Sequence, residues 1–202
     1  MLMLSLFDHS TVMAKPWAAA GYTCYCVDLQ HPPGETREGN IIKVGADIMT
    51  WEPPDGYPAF AAFFPPCTHL AASGARWFQS KGLSALIEGL TLVQRSITLA
   101  SRLDCPYLIE NPVGTLSTYW RKPDYYFDPC DYGGYSGATQ EDAYTKRTNL
   151  WVGGGFTMPS ASPVDPTLGS KMHKLSKTPD RANLRSQTPA GFAQAVYLFN
   201  RR

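Results

Sequence analysis

Residues 63–74 read FFPPCTHLAASG, which sets the thiol of Cys67 behind Pro65 and Pro66 at the end of an apolar run. A thiolate is a strong nucleophile, and a cysteine at the start of a loop can meet a substrate that a cysteine in a core cannot. Further on, LIENP (108–112) places Glu110 and Asn111 where a proline stops another apolar run. A carboxyl group beside Cys67 would serve as proton donor or acceptor, so the pair says more than either member alone. Further acids close apolar runs: Asp8 after Phe7, Asp28 after YTCYCV, and Asp47 in IIKVGADI. Each of the last two either caps a turn or, at the end of a strand in an α/β unit, holds the hydroxyls of a ribose. Cys24-x-Cys26 and Cys67-x-His69 lack the two-to-four-residue gap usual in structural zinc sites, so no metal site is expected.

Those residues need elements that bring them to one edge. LMLSLF (2–7) suits a buried strand, and KPWAAAG (15–21) suits a short helix opened by Pro16 and closed by Gly21. YTCYCVDL, IIKVGADI and AFAAFF predict three more strands, with HPPGETREGN (31–40) and WEPPDGYP (51–58) as turns between them. Leu83, Leu86, Ile87, Leu90, Val93, Ile97, Ala100 and Leu103 recur at helical spacing and predict a long helix lying on the sheet. PYLIENP (106–112) predicts a fifth strand ended by Asn-Pro. Later, DYYFDPCDYGGYSG reads as an aromatic loop, NLWVGGGF as a strand and residues 189–200 as a closing helix. Alternating strands and helices predict an α/β fold with a doubly wound, mostly parallel sheet, whose ligands sit beyond the carboxyl ends of the strands. Phe7, Asp8, Asp28, Asp47, Cys67, Glu110 and Asn111 would all collect there.

Composition narrows the function classes. The 202 residues, 44% hydrophobic, fit one domain over 1–202 with a sizeable core. Eighteen Lys and Arg against 17 Asp and Glu give a formal net charge of +1, so any contact with nucleic acid must be local. No apolar run reaches the ~20 residues of a membrane span, and the first residues lack a signal-peptide pattern, which predicts a cytoplasmic protein. Five cysteines without a secretion signal predict free thiols.

In the order and spacing of its strand ends the chain resembles the cytosine-carbon-5 DNA methyltransferases, and more closely their small phage- and prophage-encoded members. PPC at 65–67 matches the family's Pro-Cys after the fourth strand, and ENP at 110–112 matches its Glu-Asn after the next, with weaker echoes in YTKRT (144–148) and GFAQAV (191–196). The resemblance covers about residues 2–114. It implies a Rossmann-like class I methyltransferase fold and, for a phage-encoded member, the cytoplasm of a bacterial host. Cys67 would add to carbon 6 of cytosine, Glu110 would act on ring nitrogen 3, Asn111 would fix that acid, and Arg147 would steady the base. S-adenosylmethionine would be the methyl donor, with Asp28 on its ribose, Asp47 near its adenine, and Phe7, Asp8 and Pro65 also against it.

Two departures from the family are visible. Its first turn, Phe-x-Gly-x-Gly, is Phe7-Asp8-His9-Ser10-Thr11 here, which would reshape the donor pocket or change the donor to a folate-borne one-carbon unit. The stretch between Arg147 and the last helix is also too short for a separate target-recognition domain. The expected partner is therefore DNA, single-stranded or read with little sequence specificity, or DNA reached through a protein partner. A hydroxymethylase-like enzyme on free nucleotides and an inactive donor- or DNA-binding module are the alternatives. KMHKLSKTPDRANLR (171–185), with five Lys or Arg against one Asp, is a candidate phosphate contact.

Overall fold

A computed structural model describes residues 1–137, 140–171, 178 and 180–202. Residues 172–177 and 179 of the basic stretch 171–185 lie outside the described residues. In chain order the elements are β1 (Leu2–Leu6), α1 (Lys15–Ala19), β2 (Thr23–Val27), β3 (Gly34–Glu38), β4 (Ile41–Gly45) and β5 (Pro58–Phe63). A 3-10 turn, Ala72–Trp77, leads into α2 (Phe78–Arg102), followed by β6 (Tyr107–Pro112), α3 (Leu116–Tyr119), β7 (Tyr125–Phe127) and β8 (Thr148–Gly153). Two further helices, α4 (Arg181–Ser186) and α5 (Ala190–Asn200), complete the described chain.

The strands form one mixed sheet ordered β3-β4-β2-β1-β5-β6-β8-β7. β4, β2, β1, β5 and β6 run parallel, while β8 is antiparallel to both β6 and β7, and β3 is antiparallel to β4. The central strands β1 and β5 are continuous apolar runs because helices cover both faces. On one face Trp17 of α1 stacks on Phe60 at 5.0 Å, and Phe192 of α5 stacks on Phe127 at 3.9 Å. On the other, Val93, Leu99 and Ala100 of α2 pack against Leu4, Leu6, Phe63 and Ile109. Among the described residues no helix is long and apolar enough to cross a membrane.

Three expectations are corrected. GETRE, expected as turn, is strand β3, because a fully exposed edge strand carries charge instead of apolar alternation. Tyr125–Phe127, expected as loop, is strand β7 on the opposite edge. The long helix exists, but Leu83 and Ile87 point to solvent at 76% and 62% exposure, while its inward stripe is Gly89, Val93, Ser96 and Ala100. Gly82, at φ +73°, interrupts the helix just ahead of Leu83. Gly89 then lets Leu70 pack on the helix backbone where a larger side chain would collide.

Candidate active site

The strand order reverses at β1: the chain first builds outward through β2 and β4, then returns to lay β5 and β6 on the other side. Crevices beyond the carboxyl ends of strands at such a reversal are where open α/β sheets bind ligands. Two adjoining clefts lie there, of about 230 and about 340 Å³ including their open mouths, and Phe64, Ser186 and Thr188 line both.

The smaller cleft holds Glu110 and Lys146 between the rings of Phe64, Phe127 and Phe192. Glu110 keeps some surface as a residue, but its Oε1 is sealed from solvent and has no hydrogen-bond partner. Burial pushes its carboxyl pKa up, against the nearby Lys146 ammonium. Cys67 is half-buried with a free thiol, and it lines neither cleft. Burial raises its thiol, the Glu110 carboxylate raises it further, and Lys146 and Arg185 pull it down. Cys67, Glu110, Lys146 and Arg185 therefore form one electrostatic site. The Tyr144 hydroxyl, raised by burial and then by Asp142 and Glu110, borders the same site.

The loop that carries Cys67 is fixed from three sides. Asn111 donates from Nδ2 to the Pro65 carbonyl at 2.8 Å, so it holds the Pro-Pro-Cys turn to the end of β6. This differs from the expectation that Asn111 fixes the acid: strand alternation puts it on the opposite face from Glu110. Lys81 donates to the Thr68 carbonyl at 2.8 Å. Thr115 N–H donates to the Leu70 carbonyl at 2.9 Å, and that carbonyl lies where a Cβ on Gly114 would stand.

Phe7, Asp8, His9, Ser10, Asp28 and Gln30 line the larger cleft. Asp8 is buried and organises the turn after β1: its carboxylate accepts from Ser5 Oγ at 2.6 Å, Ser10 Oγ at 2.8 Å and Thr11 N–H at 2.7 Å. Phe7 and Thr11 have φ of +60° and +59°. Thr11 stands where the resembled turn has its second glycine, so this backbone takes the left-handed conformation without that residue, with the Asp8 carboxylate as its internal brace. Asp28 Oδ1 accepts from Gln30 N–H at 2.8 Å at the carboxyl end of β2.

Other expected residues fall outside the clefts. Asp47 is exposed beyond β4, where Oδ1 accepts from Met49 N–H, and it lines neither cleft. Arg147 is exposed with its guanidinium 4.7 Å from the Tyr126 ring centre, and its neighbour Lys146 enters the cleft instead. Pro65 is buried behind Cys67. His69 pairs with Glu88 at 3.8 Å, and Cys24 and Cys26 are buried in the core beneath α1. Sequence reasoning missed Lys146, Phe64 and Thr188, whereas Arg185 ends the basic stretch expected to contact phosphate. Lys146 shares parity with Thr148 and Leu150 on the Glu110 side of β8, a placement that the pairing of Glu110 with Leu150 settles. No protein-family model and no curated protein matches this chain.

Proposed function

We propose that the chain transfers a methyl group to carbon 5 of cytosine in DNA through covalent addition of Cys67. The observation that carries this reading is the buried Glu110 carboxyl, its Oε1 unpartnered in a cleft with aromatic walls, close enough to the Cys67 thiol on the carboxyl edge of the sheet to act on its charge. The strand order supports the Rossmann-like class the resemblance implies: with the β3 edge strand set aside, the parallel strands run third, second, first, fourth, fifth.

Each residue has a task set by its surroundings. The Cys67 thiol gives its proton to water and Sγ bonds to carbon 6, the carbon 5–carbon 6 π pair shifts to carbon 4, the carbon 4–nitrogen 3 pair moves onto nitrogen 3, and nitrogen 3 takes the proton that burial favours on Glu110. Lys146 and Arg185 favour the thiolate that burial opposes, and a proton on Glu110 removes the carboxylate charge that would oppose it too. Asn111 and Gly114 keep the sulfur in place, where an error of about 1 Å costs on the order of a hundredfold in rate. S-adenosylmethionine, when bound, supplies an electrophilic methyl carbon. Release follows when carbon 5 loses its proton to water, the Sγ–carbon 6 bond breaks, and nitrogen 3 returns its proton to Glu110.

The larger cleft fits that donor in part. Asp28 ends β2 where ribose hydroxyls are held, and it lines this cleft. Two carboxylates in its wall, Asp8 and Asp28, suit a donor carrying cationic sulfur and amine and oppose a polyanionic folate. No acid near the adenine is offered by Asp47.

The test is to incubate the protein with S-adenosylmethionine and an oligodeoxynucleotide containing 5-fluorocytosine, whose fluorine cannot leave as the proton does. Mass spectrometry should find the oligonucleotide covalently on the Cys67 peptide, and Cys67→Ala should give none. Intact protein with bound donor and no adduct would sink the proposal.

A further inference from the structure

The carboxyl edge carries two exposed aromatic rings, each paired with an arginine. Trp77 is 53% exposed with the Arg76 guanidinium 5.1 Å from its ring centre, and Tyr126 is 45% exposed beneath Arg147 at 4.7 Å. Both flank the catalytic loop. The 3-10 turn that ends in Trp77 starts against β6, where Ala72 N–H donates to the Val113 carbonyl, and Lys81, one helical turn past Trp77, ties back to Thr68 beside Cys67. Tyr126 belongs to β7, two strands beyond β6, a lateral span of about 10 Å. Its register partner Asn149 places it on the sheet face of Asn111, the face that α2 covers.

We infer that the acceptor cytosine is presented in single-stranded DNA lying along this edge, with neighbouring bases stacked on Trp77–Arg76 and Tyr126–Arg147. The inference rests on the methyl-transfer reading and names its substrate form. Exposed aromatic rings with adjacent cations are what unpaired bases and their phosphates require, because every base has a π face and a guanidinium plane stacks as well. In a duplex those faces are already covered by neighbouring bases. The target base must also pass between Phe64, Phe127 and Phe192 to meet the sealed Oε1 of Glu110, and only an unpaired base does so without the penalty of leaving a duplex. A free nucleotide would fill the small cleft and leave both stacking rings unused. Lys146 and Arg185 add positive charge beside Cys67, on the cleft side of the edge. Two acids at this edge have partners: Asp128 accepts from Lys146 N–H, and Glu88 stands 3.8 Å from His69.

The experiment measures fluorescence anisotropy of a labelled oligothymidylate of about twelve nucleotides, within the site sizes of single-strand binders, against the same strand paired with oligodeoxyadenylate. It contains no cytosine, so binding is read apart from the chemistry. The single strand should bind at least about tenfold tighter than the duplex, and Trp77→Ala and Tyr126→Ala should each weaken it roughly five- to hundredfold. Circular dichroism should be unchanged in both, since both rings are exposed. Equal or tighter duplex binding, no single-strand binding, or indifference to both substitutions would overturn the inference. An adduct formed on free 5-fluorocytosine nucleotide without strand binding would overturn it too while sparing Cys67 chemistry. Strand binding with no adduct on Cys67 would instead leave the platform standing and remove the covalent reading.

Discussion

In the proposed reaction Glu110 is an acid before it is a base, and its environment favours that order. Its carboxyl is buried with one oxygen unpartnered, so the neutral form is favoured and the group carries a proton to donate. Glu110→Gln keeps the shape and removes the transferable proton, so the rate of adduct formation should fall by roughly a hundred- to ten-thousandfold. The same substitution has a stability signature with a definite sign. A carboxyl whose folded pKa lies above its unfolded one contributes stability that is full below the ordinary carboxylate range and is lost as pH rises through the raised value. Gln titrates nowhere. The melting temperature of Glu110→Gln relative to the native chain should therefore climb as pH rises from about 4 towards neutrality. A flat difference across that range would mean that the carboxyl is not buried as described.

Elements place these side chains through a few close approaches, and those were the least visible in the sequence. Gly114 follows β6, and a methyl group there would meet the Leu70 carbonyl, which is hydrogen-bonded to Thr115 N–H. Backbone cannot yield as a flexible side chain does, so Gly114→Ala should shift the Cys67 loop and slow adduct formation on the order of a hundredfold. Adduct kinetics beside thermal unfolding measure this, and an unchanged rate would show the loop to be indifferent to that contact. The apolar runs of β1, β2, β4, β5 and β6, and hence the acids and the thiol at their ends, were legible because parallel strands buried on both faces leave a plain signal. Strand β3 was not, since an edge strand of charged residues has no apolar pattern. The choice between Lys146 and Arg147 also escaped: Leu150 and Trp151 are both fully buried, on opposite faces of β8, so alternation alone could not say which parity faces Glu110. Leu83 and Ile87 fit the helical period of α2 yet lie outside its buried stripe, a phase set by where Leu70 meets Gly89.

At the scale of the whole molecule, charge is nearly balanced, with a formal net charge of +1, so a polyanion should feel the carboxyl edge and little else. The sheet makes this separation physical. β3 and β7 are its opposite edges, seven strand spacings apart, or roughly 34 Å, several times the ~10 Å screening length at 0.1 M salt. Four cations gather at the proposed strand path: Arg76 and Arg147 over the two rings, and Lys146 and Arg185 around Cys67. If each displaces one counterion from single-stranded DNA, the logarithm of the binding constant should fall against the logarithm of salt concentration with a slope of about −3. Arg147→Ala should make that slope shallower by about 0.7. Glu35→Lys on exposed β3 adds two units of charge, taking the formal net charge from +1 to about +3, yet should leave slope and affinity unchanged because it lies beyond the screening length. Anisotropy titrations across salt concentrations separate the two substitutions. Were Glu35→Lys to strengthen binding as much as Arg147→Ala weakens it, attraction would be a property of net charge, and the carboxyl edge would lose its claim to be the site where the strand lies.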